Sequence, residues 1–270
     1  MASLRSLFHR ARPAEASVEA QLAEALTLAS AGEYKAALAI WGPLAHRGVA
    51  RAANNVGACF LDGLGVEPDP ARAAAWLKVA AEGGDPSGQR NFATALFRGV
   101  GGQQDPAAAL SWYRKAADSG DAPAQDMLSW MLLEGEVAPY DPTEARVWAS
   151  KAADAGVASS MTRMGMFYHH ALGVERDPAE AVAWWTRAVA AGDPDGAAML
   201  GAANFLGQGV DRDPARAMVL LLLARDRGSR LANTYMAAAE ASLDILGRLR
   251  AGEIARDIAS KPPWNGEGAP

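Results

Sequence analysis

The sequence predicts an all-α fold, an α/α array of 36-residue helix-turn-helix units, on three observations. Asp-Pro pairs begin at Asp69, Asp105, Asp141, Asp177 and Asp213, each 36 residues from the last with no slip. Gly48, Gly84, Gly120, Gly156, Gly192 and Gly228 keep the same step. So do Trp76, Trp112, Trp148 and Trp184, with Leu220 in the final copy, and Ala80, Ala116, Ala152, Ala188 and Ala224. A fixed period of about 20 to 50 residues is the signature of stacked units that share a continuous core and cannot bury their apolar faces alone.

The elements follow in order. Residues 1–14 read as a flexible N-terminal arm. Residues 15–229 hold six helix-pair repeats, the first degenerate. That first copy has a helix from about Ser17 to Ser30, a break at Ala31-Gly32 and a second helix from Tyr34 to His46 that carries Trp41, but no glycine-rich loop. The second copy sets the pattern. Helix A runs from about Arg51 to Leu61, with Ala52, Val56, Cys59 and Phe60 at helical spacing. The loop Gly63-Leu64-Gly65-Val66 suits positive φ and close backbone approach. Asp69 then caps helix B and Pro70 takes its first position, where no N–H is needed. Ala73, Trp76, Leu77, Ala80 and Ala81 point inward, and Gly83-Gly84 ends the helix in the left-handed conformation.

Some copies depart from the pattern. Val137 replaces the second loop glycine of the fourth unit, before Pro139-Tyr140, and predicts a loop of different shape. Ala171, after His169-His170, replaces the first loop glycine of the fifth, and Gly102 is an extra glycine in the third. Residues 230–260 read as capping helices, one from 230 to about 242 and one from about Gly252 to Ser260. Residues 261–270 read as a flexible tail whose Trp264 either folds back or serves as an exposed anchor.

The chain has 270 residues, half of them hydrophobic, and a net charge of −5. The unbroken period predicts one elongated domain. The charge leaves no basic footprint for nucleic acid. No stretch approaches the roughly 20 apolar residues of a spanning helix, so stable membrane insertion is not expected, and the chain reads as cytoplasmic. The lone Cys59 cannot form an internal disulfide and reads as a buried thiol. His169-His170 is the only histidine pair, and adjacent side chains on a helix diverge by about 100°, which makes no metal clamp. No nucleophile elbow, phosphate loop or ligand-spaced Cys/His cluster occurs, so no catalytic, cofactor or metal residue is expected. The recurring aspartates are read as helix caps, not as acid catalysts.

Residues Ala52, Val56, Gly57, Phe60, Gly63, Gly65, Val66, Asp69, Arg72, Ala73, Trp76, Ala80, Ala81 and Gly84 together resemble the Sel1-like repeat, a relative of the tetratricopeptide repeat. The resemblance covers about Val18 to Gly228. It implies a right-handed superhelical α/α solenoid acting as a non-enzymatic scaffold or adaptor that binds a peptide or partner protein on the concave surface lined by helix A. By phase, the non-core helix-A positions are Asn54, Asn55, Ala58, Arg90, Asn91, Thr94, Asp126, Met127, Trp130, Thr162, Arg163, Met166, Met199 and Ala202, and the partner-binding candidates among them are Asn54, Asn55, Arg90, Asn91, Asp126, Met127, Trp130, Arg163 and Met166. Trp130 stands outside the periodic tryptophans, and with Arg90 and Arg163 it suits a peptide with an acidic or apolar anchor. Two alternatives remain open. One is an adaptor tethered at a membrane surface or envelope by the basic N-terminal arm. The other is a β-lactam-binding or hydrolysing protein, as some cysteine-rich relatives are, although their regular cysteine pairs are absent here.

Overall fold

The computed structural model describes residues 17–264, and among them it holds fourteen α-helices and no strand. The pairs, helix A then helix B, are α1 (Val18–Ser30) and α2 (Tyr34–His46), then α3 (Ala50–Asp62) and α4 (Pro70–Glu82), then α5 (Pro86–Arg98) and α6 (Pro106–Asp118). They continue as α7 (Ala122–Glu134) and α8 (Pro142–Asp154), α9 (Ala158–His170) and α10 (Pro178–Ala190), and α11 (Pro194–Leu206) and α12 (Pro214–Asp226). The last pair is α13 (Asn233–Ala241) and α14 (Ile245–Ala259). The expected N-terminal arm and residues 265–270 of the expected tail lie outside the described residues.

The chain divides into two compact units, one ending at Trp112 and one starting at Tyr113. Stacked repeats touch mainly their neighbours, so an unbroken sequence period does not require one common core.

Each helix start has a local cause. Asp69, Asp141, Asp177 and Asp213 accept backbone N–H bonds at the N-termini of their B helices, and Asp105 Oδ1 accepts from the Ala108 N–H at 2.9 Å. A second set was not anticipated from the sequence. Asp85, Asp121 and Asp193 cap α5, α7 and α11 in the same way, whereas Val49 and Val157 leave α3 and α9 without a side-chain cap.

The second loop glycine has a reason beyond its φ. A β-carbon on Gly65 would fall 2.8 Å from the Lys35 nitrogen, one on Gly101 3.0 Å from Ala71 Cα, and one on Gly209 2.9 Å from the Ala179 nitrogen. Each loop therefore rests on the first turn of the preceding B helix, backbone against backbone. Val137 occupies this phase without a positive φ, which gives that loop the different backbone the sequence predicts. Ala171, by contrast, keeps the left-handed conformation of the glycine it replaces, at φ 57°. Helix B of the second copy ends with only Gly84 left-handed, since Gly83 stays helical.

In the first unit, Leu22, Trp41, Leu44, Val56 and Cys59 form the core. Burial, with help from Asp62, pushes the Cys59 thiol up to about 11. In the second unit, Trp185, Leu200 and Leu220 form one cluster, and Met218, Leu221, Leu223 and Trp264 belong to another. Residues 217–224 of α12 are all buried, because α11, α13 and α14 pack around it. The periodic tryptophans are less deep than expected. Trp76 and Trp112 are half-buried, and Trp148 and Trp184 each retain 9% exposure. Lys151 lies 3.9 Å from the Trp148 ring centroid and Arg187 4.0 Å from that of Trp184, each covering the outer face as a cation over π density.

The C-terminal elements differ from expectation. Helix α13 is short, and α14 starts at Ile245, seven residues before the predicted Gly252, because Asp244 caps it by accepting from the Gly247 N–H. Trp264 folds back into the core beside Ala251 and Ala255. Helix α14 leaves Ile245, Leu246, Leu249 and Ile254 exposed.

Candidate functional site

The polar residues singled out on helix A hold the repeats to each other. Asn91 Nδ2 on α5 donates to Asn54 Oδ1 on α3 at 2.8 Å. In the second unit the same register, a step of 37 residues, joins Arg163 of α9 to Asp126 of α7. Arg163 Nη1 pairs with Asp126 Oδ1 and donates to the Asp126 carbonyl oxygen at 3.2 Å. Ser159 and Ser160 add hydroxyl donors to the same carboxylate. The Arg163 side chain is 14% exposed and already neutralised. Its charge is thus engaged within the array. The remaining candidates Asn55, Arg90, Met127 and Met166 are half-buried, and Trp130 is 36% exposed.

Between successive A helices the structure opens clefts in repeat register. In the first unit, Leu61 and Asp62 at the end of α3 face Asn91, Thr94 and Arg98 of α5 across a cleft of about 430 Å³ floored by Leu77. In the second unit, His169 and His170 at the end of α9 face Met199, Ala202 and Leu206 of α11 across a cleft of about 230 Å³ floored by Trp185. Every one of these positions in the second cleft lies three periods after its counterpart in the first. The frame is therefore repeated while its chemistry changes. One cleft carries a carboxylate, an amide, a hydroxyl and a guanidinium. The other carries thioether, aliphatic and aromatic groups beside two imidazoles.

His169 and His170 belong to the last turn of α9. Their rings meet edge to face at 4.6 Å, and the His169 ring lies 5.5 Å from that of Trp185. Burial holds the His169 imidazole below its ordinary pKa, and the charges of His170 and Arg176 add to that effect. Trp185 donates its indole N–H to the Thr162 carbonyl at 3.2 Å, which fixes the floor.

Of these cleft residues, Asn91, Thr94, Met199 and Ala202 are among the helix-A positions that the phase picks out, whereas Leu61, Asp62, Arg98, His169, His170 and Leu206, in the last turn or two of helix A, are not. The polar residues nearer the middle of the helix drew attention instead, because unpaired amides and charges read as surface until their partners one repeat away are known.

A family model described as Sel1 repeat matches residues 50–85, 86–121, 122–157, 158–193 and 194–229. Among solved structures, the chain is similar to a Sel1 repeat protein from Oxalobacter formigenes at 27% identity, with 77% of this chain and 85% of that chain covered and a TM-score of 0.70. It is also similar to a protective antigen of uropathogenic Escherichia coli strains that displays an SLR fold, at 28% identity, 90% and 54% coverage of this chain and that chain, and a TM-score of 0.75. The chain thus spans about half the length of that antigen. No curated protein matches it.

Proposed function

The chain belongs to the Sel1 repeat family, whose repeats generally serve as protein-interaction scaffolds, and from that premise we propose that it is a non-enzymatic adaptor binding an extended partner segment on the A-helix face. The observation that carries this reading is the recurrence of one cleft frame with different linings. Within each unit, a peptide laid across successive A helices places a side chain in the cleft between them, and each cleft lining gives its own selectivity. The polar staples Asn54–Asn91 and Asp126–Arg163 keep neighbouring A helices in register, so that the clefts are formed before the partner arrives. Within the second unit Trp130 shares its phase with Ala202, and its exposed indole offers an aromatic anchor on the A-helix face.

A photo-crosslinking amino acid at Thr94 or Ala202, compared with one at the exposed B-helix positions Val79 or Val147, tests the surface in a native lysate. The A-helix positions are expected to give a discrete covalent adduct and the B-helix positions none. Adducts from the B-helix positions alone would overturn the choice of face, and no adduct from any position would overturn the scaffold reading.

A further inference from the structure

Helix α14 closes the second unit with an apolar face that none of the described residues of that unit covers. Ile245 is 74% exposed, Leu246 61%, Leu249 59% and Ile254 51%. Beside Ile254 runs a groove of about 570 Å³ between α12 and α14, walled by Val219, Leu220, Ala251 and Ile258. The described residues that follow α14 do not return over this face. The backbone turns at Lys261, whose N–H donates to the Ile258 carbonyl at 3.1 Å, and Trp264 enters the core beside Ala251 and Ala255, on the buried side of the helix. A terminal unit of a stacked array needs a polar outer face to stay soluble alone. The first helix pair meets that need, since among its described residues Leu26 is the one large apolar side chain exposed. Helix α14 leaves it unmet.

The charges on α14 are of both signs in alternation: Arg250, Glu253, Arg256 and Asp257 are all exposed. Asp257 pairs with Lys261 at 2.7 Å, and Arg256 Nε donates to the Gly252 carbonyl at 3.1 Å. Arg250 and Glu253 have no ion-pair partner among the described residues. Two α14 helices lying antiparallel about a two-fold axis at the level of residues 251 and 252 bring Arg250 of each level with Glu253 of the other, and Leu249 level with Ile254. The face is thus self-complementary in charge and in apolar surface, as a two-fold contact requires. Head-to-tail stacking would set the same apolar face against the polar first pair. The size also fits. Four side chains exposed by half or more, counted on two copies, remove on the order of 1,000 Å² from water, the lower limit of a specific interface.

We propose that the α14 face is the contact of a homodimer, in which a second copy of this chain lays its α14 antiparallel on the first and closes the pair about a two-fold axis. The contact does not use the A-helix clefts, so it stands or falls apart from the scaffold reading.

The test is sedimentation equilibrium of the full chain over a concentration series. An interface of this size is expected to give a monomer–dimer equilibrium in the micromolar range. Leu246→Glu with Leu249→Glu, at exposed positions that leave the core intact, should weaken it about a hundredfold. Leu26→Glu, which puts the same charge on an exposed leucine of α1, should change nothing. Arg250→Glu and Glu253→Arg should each weaken self-association about tenfold. An equimolar mixture of those two chains should pair again, because every contact between them then joins unlike charges. Circular dichroism checks that each variant is folded. A wild type that stays monomeric at millimolar concentration would overturn the proposal, even if it sediments with lipid vesicles instead. So would a dimer indifferent to the paired leucine changes, species that grow beyond the dimer, or a mixture that pairs no better than either charge-reversed chain alone.

Discussion

Gly165 of α9 faces Trp185 of α10 so closely that a β-carbon on Gly165 would lie 2.5 Å from Trp185 Cδ1 and closer still to Nε1. The indole occupies the volume that a side chain would need. The same register recurs in other pairs. A β-carbon on Gly57 would meet Leu77 at 2.9 Å, and one on Gly201 would meet Leu221 at 3.0 Å. In the fourth repeat the same phase holds Ser129 and Ala149, both fully buried.

Gly165→Ala should therefore destabilise the protein by about 1–3 kcal/mol through overpacking. In a Trp185→Ala background the same change should cost much less, because the clash is gone, and the two substitutions should be strongly coupled. Urea denaturation of the two single variants and the double variant measures the coupling. An equal cost of Gly165→Ala in both backgrounds would show that helix propensity or backbone strain, not the indole, sets the requirement for glycine.

The fold was legible because its determinants are local and repeated. Asp-Pro caps, loop glycines and seam alanines act within one or two turns, so spacing alone locates α2 to α12 closely. The C-terminal pair was misplaced where that punctuation stops. Asp244 caps α14 as Asp213 caps α12, but without a following proline it is not distinctive in the sequence. The candidate site was much less legible. Whether Asn54, Asn91, Asp126 and Arg163 are surface groups or staples depends on which residue 37 positions away they meet, and that register follows from how helices stack, not from the composition of either helix. The clefts were obscured for the same reason, since each is walled by two helices from different copies.

The Asp126–Arg163 pair gives a second test. Asp126→Ala removes the acceptor for Arg163 and for the hydroxyls of Ser159 and Ser160, and leaves a largely buried guanidinium without its anion. The loss should be about 2–4 kcal/mol. Adding Arg163→Ala should recover part of it, since no charge is then stranded. Denaturation midpoints that simply add would mean the two residues stabilise separate contacts.

Asp193 links stability to pH. Its carboxylate caps α11 by accepting from the Gly196 N–H at 3.1 Å and accepts from the Thr162 hydroxyl, but burial is the largest influence and raises its pKa above the ordinary aspartate range. The folded state therefore holds this proton more tightly than the unfolded state does. Its contribution to stability is fully present below the unfolded pKa and is lost as pH rises through the folded value. Asp193→Asn keeps an oxygen for both donors and removes the titration, so the variant should lose this loss of stability between the two pKa values. Unfolding free energies measured across mildly acidic pH, wild type against variant, check the sign. A wild type that gains stability relative to the variant as pH rises would contradict it.

Two single-atom changes on the loops should have opposite effects. Ala171 sits at φ 57°, where an L side chain is strained and glycine is not. Ala171→Gly should relieve about 1–2 kcal/mol of strain and give back part of it to the greater freedom of glycine in the unfolded chain, for a net gain of up to about 1 kcal/mol. At Gly209 the logic reverses. Its φ is 72°, and an added β-carbon would press on the Pro178 carbonyl and lie 2.9 Å from the Ala179 nitrogen, both of them backbone that cannot rotate away. Gly209→Ala should cost at least about 2 kcal/mol, combining the conformational penalty with displacement of the loop from the first turn of α10. Both positions belong to the second unit, so one denaturant series that follows that unit reads both. Equal effects at the two sites would mean that φ alone governs these loops, whereas a gain at Ala171 with a larger loss at Gly209 separates the conformational requirement from the packing of loop against helix.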